Sequence, residues 1–295
     1  MNQLDLIVFA RYPLAYAGNR LIEEAQKIGL SAQLHLYREV STTIDGGTVN
    51  LTVSGEAVNS RAVIFRSPGN DSGFRQQLTS AREVLAARVT YILNNDILTH
   101  QNRVNSKLAQ HLSFAQYGIP HVMTKNFGSR REALEWCKEY GKPVVVKPIF
   151  GSHGDNVTKI ETIEKMRDHL EDRHTRELLF QEVLTAGEDL RVIVLNGVPL
   201  GAMRRIPKNN AFVSNFSAGG SVESYDLTAD QEAYDLAAKI AKDFEFEYVG
   251  IDLMKNNEGK WVCLETNSAC QFEGFEKATG VNVAKSVVEH VTSKL

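Results

Sequence analysis

The chain has 295 residues, 43% of them apolar, and 33 Lys and Arg against 36 Asp and Glu for a net charge of −3. That much apolar content supports two or three lobes, while the balanced charge argues against a basic polyanion-binding surface. No apolar run approaches the ~18 residues a membrane span needs, and the opening "MNQLDLIVFARYPL" has no basic leader; the expectation is a soluble cytoplasmic protein with neither nucleic acid nor membrane as partner.

In chain order, "LDLIVFA" at 4–10 is a continuous apolar strand, followed by a helix, "NRLIEEAQKIG", that ends at Gly29. Further strands, "AQLHLY" and "RAVIFR", frame a polar stretch at 41–60 that reads as a hairpin or loop. A helix ending near Val89 and a short strand, "TYILN", complete an α/β lobe over residues 1–95. A second lobe, 96–175, opens with a helix carrying Val104, Leu108, Leu112 and Ala115 at helical spacing. Ser129 and Glu132 form a capping-box pattern for the next helix. "PVVVKPIF" then gives a buried strand, and "GSHGDN" a glycine turn. The third lobe, 176–295, starts at "LLFQEVL" and carries a hairpin at Asn196-Gly197. Thr228 and Gln231 pattern as the cap of a long helix; a second hairpin, "YVGIDLM" with "KWVCLET", precedes a closing helix from about Asn282. Cys137, Cys263 and Cys270 show no close-paired metal spacing, and Cys263 reads as a core thiol.

Asp252 lies within one strand of that last hairpin, Glu265 near the end of the other, with Asn267 two residues on. Residues two apart on a strand share a face. The three oxygen-bearing side chains are either a solvated strand end or a ligand set suited to Mg²⁺. Lys147 follows three valines, where a lone ammonium is costly to bury and calls for an anion. The loop beyond it, Gly151-Ser152-His153-Gly154, is either a tight turn or a phosphate cradle. Lys107, Arg204, Arg205, Glu182 and His153 are individually consistent with solvated side chains.

Together these segments resemble the ATP-grasp superfamily, and within it the RimK-type carboxylate–amine ligases. The resemblance is strongest from about 99 to 295 and rests on "PVVVKPIFGSHGDNV", "FQEVLTAGEDLRVIVLNG", "VGIDLM", "CLETNSA" and "FEGFEKATGVNVA". It implies a mixed α/β and α+β, ATP-grasp fold: an N-terminal α/β pre-ATP-grasp lobe, then two α+β lobes that sandwich ATP. By position it implies that Lys107, Lys147 and the loop residues Gly151, Ser152 and Gly154 meet the phosphates. Gln181 would lie near the adenine amino group, Glu182, Val183 and Leu184 would form the hinge, and Asp189 would lie along the ribose. Asp252, Glu265 and Asn267 would hold two Mg²⁺ ions, with Mn²⁺ able to substitute. Arg204, Arg205 and Asn215 would face the transferred phosphoryl group, and Arg66 would hold a substrate carboxylate.

Two departures from the family pattern stand out. Val213 occupies a place where a basic residue is frequent, with Lys208 a candidate substitute, and Ser268-Ala269-Cys270-Gln271 replaces the usual Ala-Ser-Pro-Gly after the metal asparagine. The implied activity is amide formation through an acyl phosphate, with L-glutamate or a similar amino acid joined to a small-molecule, peptide or protein carboxylate. A kinase or a nucleotide-binding regulatory protein of the same fold is the alternative. The family also implies a homo-oligomer, dimer or tetramer.

Overall fold

The computed structural model describes residues 3–69, 71–99, 106–151, 156–184, 188–207 and 220–295. The chain opens with β1 (Leu4–Ala10), α1 (Tyr16–Lys27) and β2 (Ala32–Leu36). The polar stretch that follows is a small antiparallel sheet of β3 (Val40–Asp45), β4 (Thr48–Val53) and β5 (Glu56–Ala57), turned at Gly46 and Gly47. Next come β6 (Ser60–Phe65), α2 (Ser72–Ala86), β7 (Tyr91–Ile92) and α3 (Asn95–Thr99). The first main sheet has the order β2-β1-β6-β7, all parallel. Both faces of β1 are covered, which is why it reads as an unbroken apolar run. Leu6 and Val8 belong to one core cluster, Ile7 and Phe9 to another.

A second sheet is built around α4 (Lys107–Gln116), β8 (Thr124–Lys125), α5 (Arg130–Tyr140), β9 (Val144–Pro148), β10 (Thr158–Ile160), α6 (Ile163–His169) and β11 (Leu178–Glu182). Its order is β10-β9-β11-β8, antiparallel throughout. The Ser129 hydroxyl accepts from Glu132 N as the sequence expects, and Gly141 closes α5 with φ +63°. One sheet face, carrying Val144, Val146, Leu178 and Phe180, packs with Ala133 and Met166 beneath α5 and α6. Period-two alternation puts Val145, Lys147 and Gln181 on the other face.

The third sheet comprises β12 (Asp189–Leu195), β13 (Val198–Ile206), β14 (Ser221–Tyr225), β15 (Tyr248–Lys255) and β16 (Trp261–Asn267), ordered β14-β13-β12-β15-β16. Asn196 and Gly197 both have positive φ and turn β12 into β13. Between β14 and β15 runs α7 (Gln231–Asp243); its cap is Asp230, which accepts from Ala233 N, while Thr228 sits in the short turn before it. After β16 come α8 (Glu273–Thr279) and α9 (Val283–Thr292), the latter capped by Asn282. Phe272, Phe275, Val283 and Val287 join Leu6, Val8, Leu21 and Tyr248 in one core, so the first and last segments of the chain fold together. All three cysteines are free and buried. Among the described residues, no helix is long and apolar enough to cross a membrane.

Helix α4 departs from its expected packing. Leu112 is 60% exposed and Ala115 also faces out, while Gln110, His111, Ser113 and Phe114 are buried. The inward face is partly polar because Gln110 bonds to β16, the edge strand of the third sheet, and His111 to Gln181 on β11 of the second, which apolar periodicity cannot register. Val104 lies outside the described residues.

Candidate active site

Asp252 and Glu265 sit directly opposite each other on β15 and β16, and Gly250 is opposite Asn267. The three side chains therefore share one face, but only because a bulge between Asp252 and Leu253 shifts the register; the five-residue turn at 256–260 alone would set Glu265 opposite Ile251, on the other face. Their environments differ. Asp252 is buried: its Oδ1 accepts from Arg191 Nε at 2.5 Å, and its Oδ2 from Arg191 Nη2 and Arg205 Nη2, each at 2.7 Å. Burial pushes its pKa up, but the two guanidiniums outweigh that and hold it well below the usual carboxylate range. Glu265 keeps a third of its side-chain surface exposed and approaches Lys107 Nζ at 3.9 Å. Asn267 Oδ1 accepts from Ala269 N.

This donor set fits a hard divalent cation. A carboxylate offers about four lone-pair sites; arginine bonds occupy three on Asp252, leaving one on Oδ1. Glu265 is open, and Asn267 Oδ1 retains a lone pair. Few protein oxygens, with water and phosphate completing the shell, is the usual arrangement for Mg²⁺.

Lys107 is the first residue of α4, behind the cap Ser106, and its Nζ donates to the carbonyl of Gly151. Lys147 is only 8% exposed. Burial is the main cause that brings its pKa down to about 8; Glu265 pulls it up and Lys107 down. Among the described residues no carboxylate reaches ion-pair distance of its Nζ. Two cations and the free oxygens of Glu265 thus meet at one place, with Gly151 leading into the glycine loop. Ser152, His153 and Gly154 lie outside the described residues, as do Lys208, Val213 and Asn215.

Arg204 and Arg205 face opposite sides of β13. Arg205 is buried, bonded to Asp189 and Asp252; Arg204 is partly exposed between Glu188 and Glu223. Two expectations need correcting. Asp189 does not reach outward to a ribose; its carboxylate is buried on Arg205. Arg66 does not stand open for a substrate: its Nη2 donates to the carbonyls of Ala269 and Cys270, fixing the loop after β16, while its Nε is buried without a partner. Both errors have one source, since sequence position says which residues come near a site and not which neighbours neutralise them. Glu182 Oε1 accepts from Met123 N, Val183 O accepts from Asn257 Nδ2, and Leu184 is buried. Gln181 Nε2 donates to Thr124 Oγ1 and to His111 Nε2.

Two contributors escape sequence reasoning, and a third, Cys270, lies in the segment whose departure from the family pattern the sequence already shows. Arg191 reads as one polar position in an apolar strand, yet it chelates Asp252. Gln110 donates to Thr266 O and accepts from Thr266 N, so α4 grips β16 beside Glu265. Cys270 packs at 2.7 Å from the position a Cβ on Gly250 would take, so only glycine fits opposite it. A signal for Arg191 was available: like Lys147, it is a cation inside a valine-rich strand.

Comparison with known proteins decides the family. The model of the RimK-like ATP-grasp domain matches residues 104–291. The chain belongs to that family. It is 28% identical to the beta-citrylglutamate synthase B of Danio rerio, over 99% of this chain and 73% of that protein. It is 26% identical to a probable alpha-L-glutamate ligase of Aeromonas salmonicida (strain A449), over 99% and 97% of the two chains. In structure it resembles the ATP-grasp ligase PsnB complexed with minimal precursor, at TM-score 0.77 and 19% identity over 99% of this chain and 100% of that one. The fold is ATP-grasp, and the class of enzyme is the ATP-dependent carboxylate–amine ligase.

Proposed function

We propose that this ligase joins L-glutamate, or a similar amino acid, through its amino group to the carboxylate of a small molecule, peptide or protein. The observation that carries this reading is the meeting of Lys107, Lys147 and Glu265 beside a carboxylate, Asp252, already neutralised by two arginines. A site of that composition suits a triphosphate with its cations. The substrate carboxylate attacks the γ-phosphorus of ATP, giving an acyl phosphate and ADP; the amine then attacks the acyl carbon and phosphate departs. The first step brings an anion to a polyanion, so the chain's main task is electrostatic. Lys107 and Lys147 would bind the phosphate oxygens. Arg191 and Arg205 hold Asp252 in place and ionised, and Gln110 holds the strand that presents Glu265. Glu265, Asp252 and Asn267 would hold two Mg²⁺, or Mn²⁺, which supply charge neutralisation of the phosphates.

Support for glutamate comes from the relatives named above, one a citrylglutamate synthase and another a probable glutamate ligase. Support for a peptide carboxylate comes from PsnB, solved with a precursor. The kinase and regulatory alternatives are not favoured. The three lobes, 1–95, 96–175 and 176–295, a cytoplasmic location and a dimer or tetramer complete the proposal.

The test is ADP release with MgATP, glutamate and a panel of carboxylates, with the amide identified by mass. ADP without amide for every acceptor and amino acid would count against ligation by this site. Glu265→Ala is expected to abolish turnover, by about 10³-fold or more, while thermal unfolding stays unchanged because Glu265 makes one long ion pair and is partly solvated. Undiminished turnover in that variant would remove the metal assignment.

A further inference from the structure

Helix α4 buries a histidine that the ligase chemistry does not use. His111 is 4% exposed, lies one turn beyond Lys107, and touches Gln181. Gln181 is 4% exposed as well and shares the face of the second sheet with Lys147. Directly opposite it on β8 stands Thr124.

The hydrogen bonds among these groups fix one orientation of the amide. The Thr124 hydroxyl donates its proton to Val122 O at 2.9 Å, so toward Gln181 its Oγ1 can only accept. Gln181 must present an N–H there, and Nε2 does so at 2.7 Å. The second N–H of the same nitrogen points to His111 Nε2 at 2.9 Å. An amide nitrogen has two protons, so both are used. His111 Nε2 accepts, which requires a neutral ring with its proton on Nδ1; burial foremost, and the nearby Lys147, His121 and Lys107, keep the ring neutral. Nδ1 itself is buried without a partner, an uncompensated cost that a purely structural histidine has no reason to bear. Among the described residues nothing donates to Gln181 Oε1, which is left as an acceptor for a ligand.

We infer that His111 and Thr124 are positioning residues that lock the Gln181 amide with its oxygen toward the nucleotide base, so that the site selects a 6-amino purine over a 6-oxo purine. Adenine offers an N–H donor at that place; hypoxanthine offers an acceptor, which meets the oxygen lone pair to lone pair. This rests on the ligase reading, in which Gln181 lies at the base end of bound ATP.

The experiment measures binding of MgADP and MgIDP, which differ in the base only by the 6-amino and 6-oxo groups, by calorimetry on the full chain. The unaltered protein is expected to prefer ADP by about 10- to 100-fold, the usual consequence of one mismatched buried hydrogen bond. His111→Phe removes the acceptor and frees the amide to flip; the ADP:IDP ratio should fall to within about threefold. Thr124→Val removes the other acceptor and should lower the ratio too, and it carries the test if His111→Phe does not fold. His111→Gln keeps an acceptor at the outer position and should restore the preference. In the unaltered protein, ¹⁵N spectra should show protonated Nδ1 and unprotonated Nε2 for His111. A role in packing alone would weaken both nucleotides equally, so an unchanged ratio in folded His111→Phe and Thr124→Val overturns the inference, as does an unaltered protein that binds ADP and IDP alike. Failure of the unaltered protein to bind either nucleotide would instead overturn the nucleotide reading on which this one stands.

Discussion

Lys147 on the second sheet and Asp252 on the third are both charged groups withdrawn from water, and the protein treats them in opposite ways. Asp252 has its partners built in: Arg191 and Arg205 bond both oxygens and its proton affinity falls. Lys147 has none at ion-pair distance among the described residues, and burial lowers its affinity for a proton. The difference separates a charge that the fold neutralises by itself from one that it leaves without a counter-charge. A buried ion that is satisfied within the protein is part of the scaffold; one that is not stores a cost that an anion can relieve on binding.

The sharpest way to break this contrast is at Arg191. Arg191→Met leaves Asp252 with Arg205 alone, and Arg205 is already shared with Asp189. Removing one partner of a buried pair costs about 3–5 kcal/mol. The expected result is a correspondingly lower unfolding midpoint in urea, with nucleotide affinity also reduced because Asp252 loses its orientation. A midpoint within experimental error of the unaltered protein would show that Asp252 is solvated rather than held by the arginines.

Lys147 should behave the other way. Its folded pKa, about 8, lies below the unfolded value near 10.5, so the unfolded chain binds the proton more tightly. The cost is complete below pH 8; stability climbs as pH rises from 8 to 10.5 while the unfolded chain still holds the proton. Lys147→Met is therefore expected to stabilise the nucleotide-free protein at pH 7, on the order of 1–3 kcal/mol, with the advantage fading toward pH 10.5. The same variant should lose nucleotide affinity by about 10²-fold, the scale of one charge-assisted contact. In the unaltered protein, ADP binding at pH 8.5 should take up protons, seen as a dependence of binding heat on buffer ionisation. A destabilised variant would mean that Lys147 already has a counter-charge.

How much of this was legible in the sequence follows the same division. Lys147 announced itself because a lysine after three valines violates the apolar pattern of its strand, and period two put Glu265 and Asn267 on one face; that Asp252 joins them depends on the bulge between Asp252 and Leu253, which the sequence does not mark. The capping of α5 by Ser129 and the start of α9 near Asn282 were readable for the same local reasons. The arginine bonds of Asp252 and Asp189 were not, since they join strands whose register is set by long-range pairing, with Asp252 opposite Arg191 and Asp189 opposite Arg205. Nor was the inward face of α4, where Gln110 and His111 replace the apolar residues that periodicity expects. The bonds of Arg66 to the carbonyls of Ala269 and Cys270 were not legible either, because backbone carbonyls of a loop leave no mark in composition.

Gln110 supplies the neutral case between the two charged ones, and the smallest effect. Its side-chain amide bonds both backbone groups of Thr266, which is how a neighbouring strand would satisfy that edge, and Thr266 follows Glu265 directly. Gln110→Leu keeps the volume and leaves one N–H and one C=O buried without partners, for a cost of about 1–2 kcal/mol. Because the two groups are uncharged, this loss should not vary between pH 6 and 9, unlike that at Lys147. If Gln110 positions Glu265, kcat should fall several-fold with KM for ATP little changed, since the lysines proposed to bind the phosphates remain. A variant that lost stability but kept kcat would confine Gln110 to holding the strand edge, and Glu265 would then owe its placement to pairing with β15 alone.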